Sequence, residues 1–432
     1  MTTAPSWSET HHTSRRTLNE TAPPSVVPRI LWWNAAWFSV LAAIALGLLG
    51  VAAIHITEDP ETGGLWVRQL VFLGAGVVAC LLMAIPKART WRYLSYPIAI
   101  GVIALLIFVL IPFVPTEIVR PRNGARRWIN LVLFDLQPSE LAKIAFVLAL
   151  ASYLRLRKNY RTLVGLLWPF GIMFVPMGLI VVEPDLGTAM LFPAVLFAML
   201  LGAGARLLHL FTIAGLGAAA AVGIAAFCLV AAQPPTPAYP ILKEHQVERI
   251  QGLVNQVRGD TRQQDTINYQ SHKAATLIGA GGFTGLGAER SRVIVKYNKL
   301  PEDHNDMIFA VVVNRWGFLG GAIMIGLYLV YLMGFVAVAA VSRNPFGRLV
   351  CVGFGAVVAA QVLVNIGMTL GLFPITGMTL PFVSYGGSSL IANFLMVGIV
   401  LGVALRPPIY LSRPSFEFDP PRPDQDPLER LR

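Results

Sequence analysis

The chain has 432 residues, of which 55% are hydrophobic and only 13% are charged, and its mean hydropathy is +0.62. An ordinary soluble domain has about 25% charged residues, so this chain carries too little charge to cover a water-exposed surface. Three cysteines cannot form a disulfide framework, and disordered and coiled-coil classes are excluded by the low charge. The composition indicates an integral membrane protein.

The formal net charge of +11 is the one compositional feature that would also suit nucleic acid. In a membrane protein, however, an excess of Lys and Arg more often belongs to cytoplasmic loops. We therefore predict no nucleic-acid partner.

Long apolar runs follow one another along the chain, and each is a candidate membrane span. A helix needs about 20 mostly apolar residues to cross the hydrocarbon core, and about ten runs approach or exceed that length. They cover residues 31–55, 67–86, 95–115, 138–154, 163–182, 186–204, 207–231, 306–340, 349–370 and 388–405. The sequence predicts an all-α, polytopic integral membrane protein with about ten transmembrane helices.

Three regions are predicted around these spans: a polar tail at 1–29, a membrane domain at 30–406 and a Pro-rich tail at 407–432. The composition of both tails is typical of disorder. Within the membrane domain, residues 232–305 between spans seven and eight exceed the roughly 12–15 residues of an ordinary loop. We expect this large loop to form a lid or binding surface, with helical stretches around 243–257 and 265–278.

Charge predicts the orientation of the spans. Basic residues follow spans two, four, six and eight, for example Lys87, Arg155, Arg206 and Arg343. The positive-inside rule then places both termini in the cytoplasm. The first span is too long for a signal-peptide core and has no clear cleavage site, so we expect an uncleaved anchor.

The loop between spans three and four breaks this rule, because Arg126, Arg127 and Trp128 fall on the predicted outer side. One interpretation is a solvated loop in which Trp128 is an interfacial belt residue. The other is an outward-facing anion site, since guanidinium groups bind phosphates well.

Ionisable residues at the ends of spans are functional candidates, because charges at membrane depth are costly. Glu140 and Lys143 share a face at the outer end of span four. Lys143 could form a local ion pair, could extend toward the membrane interface, or could have a functional role. Glu302, His304 and Asp306 gather before span eight. Asp306 could cap that helix, or it could form a buried pair or acid/base site with Lys143. Pairing would lower the carboxyl pKa and burial would raise it.

Small and hydroxyl-bearing residues precede span ten, namely Ser384, Gly387, Ser388 and Ser389. They would suit either an anion site at a helix N-terminus or close helix packing. Asp185, before span six, is predicted to cap its helix. The glycine run at 279–287 lacks the Lys-Ser/Thr of a nucleotide-binding P-loop, so we interpret it as a flexible, close-packed part of the large loop.

No Cys/His spacing in the sequence suits a metal, and no serine nucleophile motif is present. The residues alone therefore describe outer cations, an outer carboxylate cluster and a large outer loop above a membrane body. That combination favours an enzyme or carrier that handles an anionic, lipid-linked substrate.

Six motifs in order resemble those of the SEDS family, the FtsW, RodA and SpoVE group of bacterial cell-wall proteins. They are Asn123-Gly-Ala-Arg126-Arg127-Trp128-Ile, Gln137-Pro-Ser-Glu-Leu-Ala-Lys143, Pro184-Asp-Leu-Gly-Thr-Ala189, Tyr269-Gln270 with the glycine run, Leu300-Pro-Glu-Asp-His-Asn-Asp306, and Leu380-Pro-Phe-Val-Ser-Tyr-Gly-Gly-Ser-Ser389. The resemblance runs from about 30 to 406 and is nearer to the FtsW and SpoVE branch. The chain departs from the family at Asp303, Asn305, Asn314 and Arg315.

The resemblance implies a peptidoglycan glycosyltransferase of the bacterial cytoplasmic membrane, which polymerises lipid II on the outer face in cell division or cell-shape maintenance. It implies Asp306 and Lys143 as catalytic residues and a class B penicillin-binding protein, with other divisome or elongasome proteins, as partners. A divalent cation, Mg or Mn, is the only cofactor considered. The predicted substrate-binding residues are Arg126, Arg127, Trp128, Glu140, Glu302, His304, Ser384, Gly387, Ser388 and Ser389.

Two other functions suit the same class of membrane protein. A lipid II flippase would favour polar groups at the bilayer midplane, whereas the charges here gather at outer helix ends. A non-catalytic scaffold is disfavoured by the presence of Asp306 and Lys143.

Overall fold

The computed structural model describes residues 34–58, 64–122, 125–131, 135–156, 159–231, 247, 269–301 and 303–406. The described helices are α1 (Ala36–Thr57), α2 (Leu65–Ala84), α3 (Ala88–Leu110), α4 (Pro138–Leu156), α5 (Leu167–Val182), α6 (Leu186–Ala203), α7 (Leu207–Ala231), α8 (Tyr269–Gly281), α9 (Gly287–Asn298), α10 (Ile308–Val341), α11 (Pro345–Thr369) and α12 (Gly387–Leu405). The all-α prediction is confirmed. The sequence did not predict a small antiparallel sheet, formed in the order β1 (Val119–Arg122), β2 (Ala125–Asn130) and β3 (Asp135–Leu136).

Nine of the described helices are long and apolar enough to cross a membrane, which confirms a polytopic membrane protein. The predicted fourth span, α4, is the exception, because it carries Glu140, Lys143 and Arg155. Most of α4 is buried, and it packs against α3, α5, α6, α11 and α12. A helix enclosed by protein can carry charges that lipid would not accept, so α4 is the central helix of the bundle.

Close helix packing in the bundle depends on glycine. A Cβ atom at Gly398 on α12 would overlap the carbonyl oxygen of Cys80 on α2, and a Cβ atom at Gly50 on α1 would overlap Val383. Helices in a membrane gain little from the hydrophobic effect between them, so backbones that approach this closely supply the packing energy.

The long helix α10 is interrupted at Gly317, whose φ of 68° and ψ of −165° are not helical. The break removes helical hydrogen bonds, and the turn at 282–286 replaces them. Leu286 N donates to Asn314 O at 3.1 Å, while Phe318 N donates to Gly282 O at 2.9 Å. Backbone groups at membrane depth must be bonded within the protein. The glycine run supplies hydrogen-bond partners that α10 lacks at its break. The run is close-packed at Gly281 and Gly285, whereas a Cβ atom at Gly279, Gly282 or Gly287 would have no neighbour within 4 Å. Its predicted flexibility stays a prediction.

The large loop agrees with its prediction in part. A helix expected around 265–278 is present as α8, whereas the stretch at 243–257 lies outside the described residues except for Val247. The tails at 1–29 and 407–432 also lie outside them, so the limits of the three regions stay a prediction.

Gly317→Ala should destabilise the protein by about 2 kcal/mol or more, because a non-glycine residue is strained at this φ and its Cβ would overlap the backbone of Gly285. Thermal unfolding of the purified protein, followed by tryptophan fluorescence, measures the change. Gly326→Ala on the same helix is the matched control, because a Cβ there has no neighbour within 4 Å. Equal melting temperatures for the two variants would contradict this account of the kink.

Candidate active site

Five chain segments meet at one end of the bundle, which we call the site end. They are residues 126–128, 137–143, 183–188, 303–308 and 376–389. These segments contain every site residue predicted from the sequence except Glu302, which lies outside the described residues.

The beginning of α4 is tied to its neighbours by polar side chains. Asp185 caps α6, since Thr188 N donates to Asp185 Oδ1 at 3.2 Å, as predicted. Its second oxygen accepts hydrogen bonds from Gln137 Nε2 at 3.2 Å and Ser139 Oγ at 3.3 Å. Gln137 N also donates to Ser388 Oγ at 3.0 Å. Asp185 therefore joins α6 to α4, and Ser388 joins α12 to α4.

Lys143 and Glu140 form an ion pair within the first turns of α4. Lys143 Nζ lies 2.9 Å from Glu140 Oε2, and the two side chains are only 2% and 5% exposed. The local ion pair is one of the alternatives that the sequence left open, and it is present in the structure. A buried charge needs such a close partner to offset its desolvation. The catalytic role of Lys143 stays a prediction.

Arg126 holds the small sheet against the end of α3. Its Nη1 donates to Pro112 O at 2.8 Å and its Nη2 donates to Val114 O at 2.6 Å. Trp128, also on β2, is half-buried and lies opposite Arg120 of β1. A guanidinium has five N–H donors, so Arg126 keeps donors for a ligand while it stabilises the loop.

Arg127 holds the turn between α5 and α6. Its Nε donates to Glu183 O at 2.8 Å and its Nη2 donates to Pro184 O. The Glu183 side chain is buried, and neither of its carboxyl oxygens has a hydrogen-bond partner among the described residues. The pKa of Glu183 is raised to about 8, chiefly by burial and also by nearby Asp185, while Arg127 acts in the opposite direction. Glu183 is therefore mostly protonated at neutral pH.

Asp306 lies immediately before α10 and is half-buried. The N-cap position of α10 is Met307, which directly follows Asp306 and makes no side-chain capping bond. The alternative in which Asp306 caps the helix stays a prediction. The carboxylate lies beside Gly377, because a Cβ atom at Gly377 would be 3.5 Å from Asp306 Oδ2. His304 Nδ1 is 3.0 Å from Asp303 Oδ1.

The loop before α12 is bonded to the segment that carries Asp306. Ser384 Oγ donates to Asn305 O at 2.6 Å and accepts from Leu380 N at 2.7 Å. Tyr385 N donates to His304 O at 2.9 Å. Ser384 thus has a structural role in addition to its predicted binding role.

The N-terminus of α12 meets the same loop. The helix begins at Gly387 and its N-cap is Gly386, which has no side chain to cap it. The amide groups of the first turn, which includes Ser388 and Ser389, therefore lack intrahelical partners and carry a partial positive charge. Such a helix end can bind an anion, as one of the two sequence interpretations expected.

Two polar residues inside apolar spans also position this loop, and neither is among the predicted site residues. Gln69 on α2 donates through Nε2 to Ser384 O at 3.0 Å and accepts from Gly386 N at 3.3 Å. Asn365 on α11 donates to Asp306 O at 2.9 Å and to Met378 O at 2.6 Å. The signal that could have found them is a lone amide side chain within a membrane span.

An apolar groove of about 220 Å³ lies between α3, α4 and α5. Its lining includes Ala99, Ile100, Ala142, Phe146, Val175 and Pro176. Ile100 and Val175 are more than half exposed, so the groove opens on the side of the bundle. Ala142 adjoins Lys143 in the chain, so the groove reaches the part of α4 that carries the ion pair.

A carboxylate, guanidinium groups, a buried ion pair and an uncapped helix end thus occupy one end of a membrane-spanning bundle with a lateral apolar groove. These features define a polytopic membrane protein whose charged motif residues gather at one end of the helices.

Comparisons with known proteins identify the family. The model of the FtsW/RodA/SpoVE family, described as "Cell cycle protein", matches residues 34–406. Stage V sporulation protein E of Bacillus subtilis (strain 168) is 34% identical over 339 residues, which cover 78% of this chain and 86% of the relative. The probable peptidoglycan glycosyltransferase FtsW of Thiomicrospira cyclica is 34% identical over 378 residues, which cover 84% and 89%.

Solved structures agree. A chain from "Structural coordination of polymerization and crosslinking by a peptidoglycan synthase complex" matches with a TM-score of 0.69 and 31% identity, covering 85% of this chain and 97% of that one. RodA of Thermus thermophilus matches with a TM-score of 0.58 and 28% identity, covering 85% and 96%. The chain belongs to the FtsW/RodA/SpoVE family, and the resemblance of its motifs is confirmed.

Glu183→Gln should make the protein more stable than the wild type, by a margin that grows as the pH rises. The folded wild type holds a proton on Glu183 between its ordinary pKa of 4.5 and about 8, so it loses stability as the pH rises through this window. Glutamine does not ionise. Melting temperatures from about pH 5 to about pH 9 measure the difference. The control is Glu117→Gln at an exposed position, and a difference independent of pH at Glu183 would refute the assignment.

Proposed function

We propose that this protein is a peptidoglycan glycosyltransferase that polymerises lipid II into glycan strands and releases undecaprenyl pyrophosphate, in cell division or cell-shape maintenance. The proposal rests on the hydrogen bonds at the site end. They join the start of α4 to the N-terminus of α12 and the Asp306 segment to the loop before α12. Family membership supports it, because relatives are named probable peptidoglycan glycosyltransferases.

In this proposal Asp306 is the general base. Its carboxylate takes the proton from the 4-hydroxyl of the acceptor GlcNAc, and that oxygen attacks the anomeric carbon of the donor MurNAc with inversion. The bond from this carbon to the pyrophosphate oxygen breaks, and the leaving group keeps the electron pair. A well-placed base contributes about 10²–10⁴-fold to such a reaction. The half-buried position of Asp306 leaves its carboxylate partly accessible to a substrate.

The pyrophosphate leaving group needs fixed positive charge where its own charge develops. We assign this role to the first-turn amides of α12 and to the remaining guanidinium donors of Arg126 and Arg127. Lys143, held by Glu140, would act from α4. The binding roles of Trp128 and His304 stay predictions, as does that of Glu302.

A metal takes no step in this mechanism. Over the described ranges of the chain, no group of three His, Cys, Asp or Glu side chains could hold a metal ion. Mg²⁺ is often held by one or two carboxylates together with substrate phosphates, so a divalent cation stays a prediction.

We propose that the site end faces the outside of the bacterial cytoplasmic membrane and that both termini are cytoplasmic. The positive-inside rule supports this orientation, because Lys87, Arg161, Arg206 and Arg343 lie in connections at the opposite end of the helices. We also propose a class B penicillin-binding protein as the main partner, together with other divisome or elongasome proteins. The similar solved structure comes from a peptidoglycan synthase complex.

Asp306→Asn should reduce glycan synthesis by at least about 100-fold, because an amide cannot accept the proton. Purified protein is incubated with lipid II, with and without the partner transpeptidase, and chain products are separated by electrophoresis. Melting temperature and lipid II binding should be retained. Asp135→Asn, a matched change on β3, is the control. A wild type that moves lipid II across vesicles but makes no chains would identify a flippase instead.

Ala99→Trp should raise the KM for lipid II about tenfold without changing kcat. We propose that the apolar groove holds part of the lipid chain of lipid II. The indole would fill the groove and displace roughly two methylene groups of that chain, at about 0.8 kcal/mol each. Ala104→Trp, at an exposed position on the same helix that does not line the groove, is the control. With lipid II that has a shortened chain, Ala99→Trp and Ala104→Trp should have the same KM. Equal KM values with the full-length chain would exclude the groove as the site of the lipid chain.

A further inference from the structure

Asn365 is a fully buried amide near the end of α11, with 0% of its surface exposed. Its Nδ2 donates to Asp306 O at 2.9 Å and to Met378 O at 2.6 Å. One side chain therefore bridges the segment before α10 and the loop before α12. Both amide hydrogens are used, so any rotation of the group would break both bonds.

These two bonds hold the two chain segments that adjoin the carboxylate of Asp306. Met378 adjoins Gly377, and Gly377 borders Asp306 Oδ2, as the 3.5 Å separation from a Cβ atom at Gly377 indicates. Asn365 thus holds the backbone of Asp306 on one side and the chain that borders its carboxylate on the other.

Three successive carbonyl groups, at residues 304–306, accept hydrogen bonds from other segments. The first two accept from Tyr385 N and Ser384 Oγ, which belong to the same loop. The third accepts directly from the side chain of Asn365 on α11, a helix of the bundle core. That loop is held in turn by Gln69 of α2, so it links the Asp306 segment to the bundle indirectly. Asn365 makes the link directly from α11, which is packed against α10, α4 and α6.

We propose that Asn365 is a positioning residue for the general base Asp306. It ties the backbone of Asp306 to the helical bundle and so keeps the carboxylate where it can take the acceptor proton. Asn365 is buried and touches no substrate. This inference rests on the proposed glycosyltransferase function.

Asn365→Ala should lower kcat about 10–100-fold, because small displacements of a catalytic group cost up to about 100-fold. Lipid II should bind with its KM within about twofold of the wild type. Asn365→Ser keeps one donor and should give an intermediate kcat. If Asn365→Ala does not fold, the kcat of Asn365→Ser tests the proposal in its place.

The matched control is Asn314→Ala. Asn314 is equally buried, and its Nδ2 donates to Leu277 O at 2.8 Å, so it also joins two helices, but away from Asp306. A role confined to stability predicts that both variants lose melting temperature and activity in proportion. A positioning role predicts that the two variants lose a similar amount of melting temperature, whereas only Asn365→Ala loses kcat beyond that proportion.

A double variant tests whether Asn365 acts through Asp306. In the Asp306→Asn background, Asn365→Ala should leave the residual rate unchanged, since the base is already absent. Equal fractional losses in both backgrounds would overturn the proposal, as would a normal kcat for Asn365→Ala in an active wild type. A wild type that makes no glycan would instead overturn the glycosyltransferase function itself.

Discussion

A membrane-embedded backbone must satisfy its own hydrogen-bonding groups, and the rest of this structure depends on that constraint. Lipid offers no donors or acceptors to a broken helix. α10 nevertheless breaks at Gly317, and it does so because the turn at 282–286 supplies the missing partners from the large loop. The loop and the helix therefore form one unit, in which glycine is required at Gly317 and Gly285 because their backbones touch.

The same constraint builds the site. Residues 376–386 have no regular secondary structure, so their backbone groups need partners from elsewhere. Gln69 and Asn365 supply them from neighbouring helices, and Ser384 supplies them within the loop. These bonds give an irregular segment a defined shape. The polar residues that look out of place in apolar spans are the ones that hold Asp306 and the start of α12 together.

Charge at the site end serves the fold and the proposed chemistry together. Lys143 and Glu140 neutralise each other inside the bundle, and Arg126 and Arg127 bond backbone carbonyls of the loops around them. Each group is thus fixed before a substrate binds, which is what electrostatic catalysis requires. Glu183 is the opposite case, since its burial favours the protonated carboxyl.

The sequence by itself determined the membrane helices and the motifs of the site. Apolar runs predicted α2 at 67–86 and α12 at 388–405, close to Leu65–Ala84 and Gly387–Leu405, because the length of a hydrophobic run is a local property. Only the tertiary structure decided which groups meet. Asn365 reaches Asp306 across 59 residues, and Gln69 reaches Ser384 across 315. Contacts between residues so far apart depend on how the helices pack, and a local sequence pattern does not predict that packing.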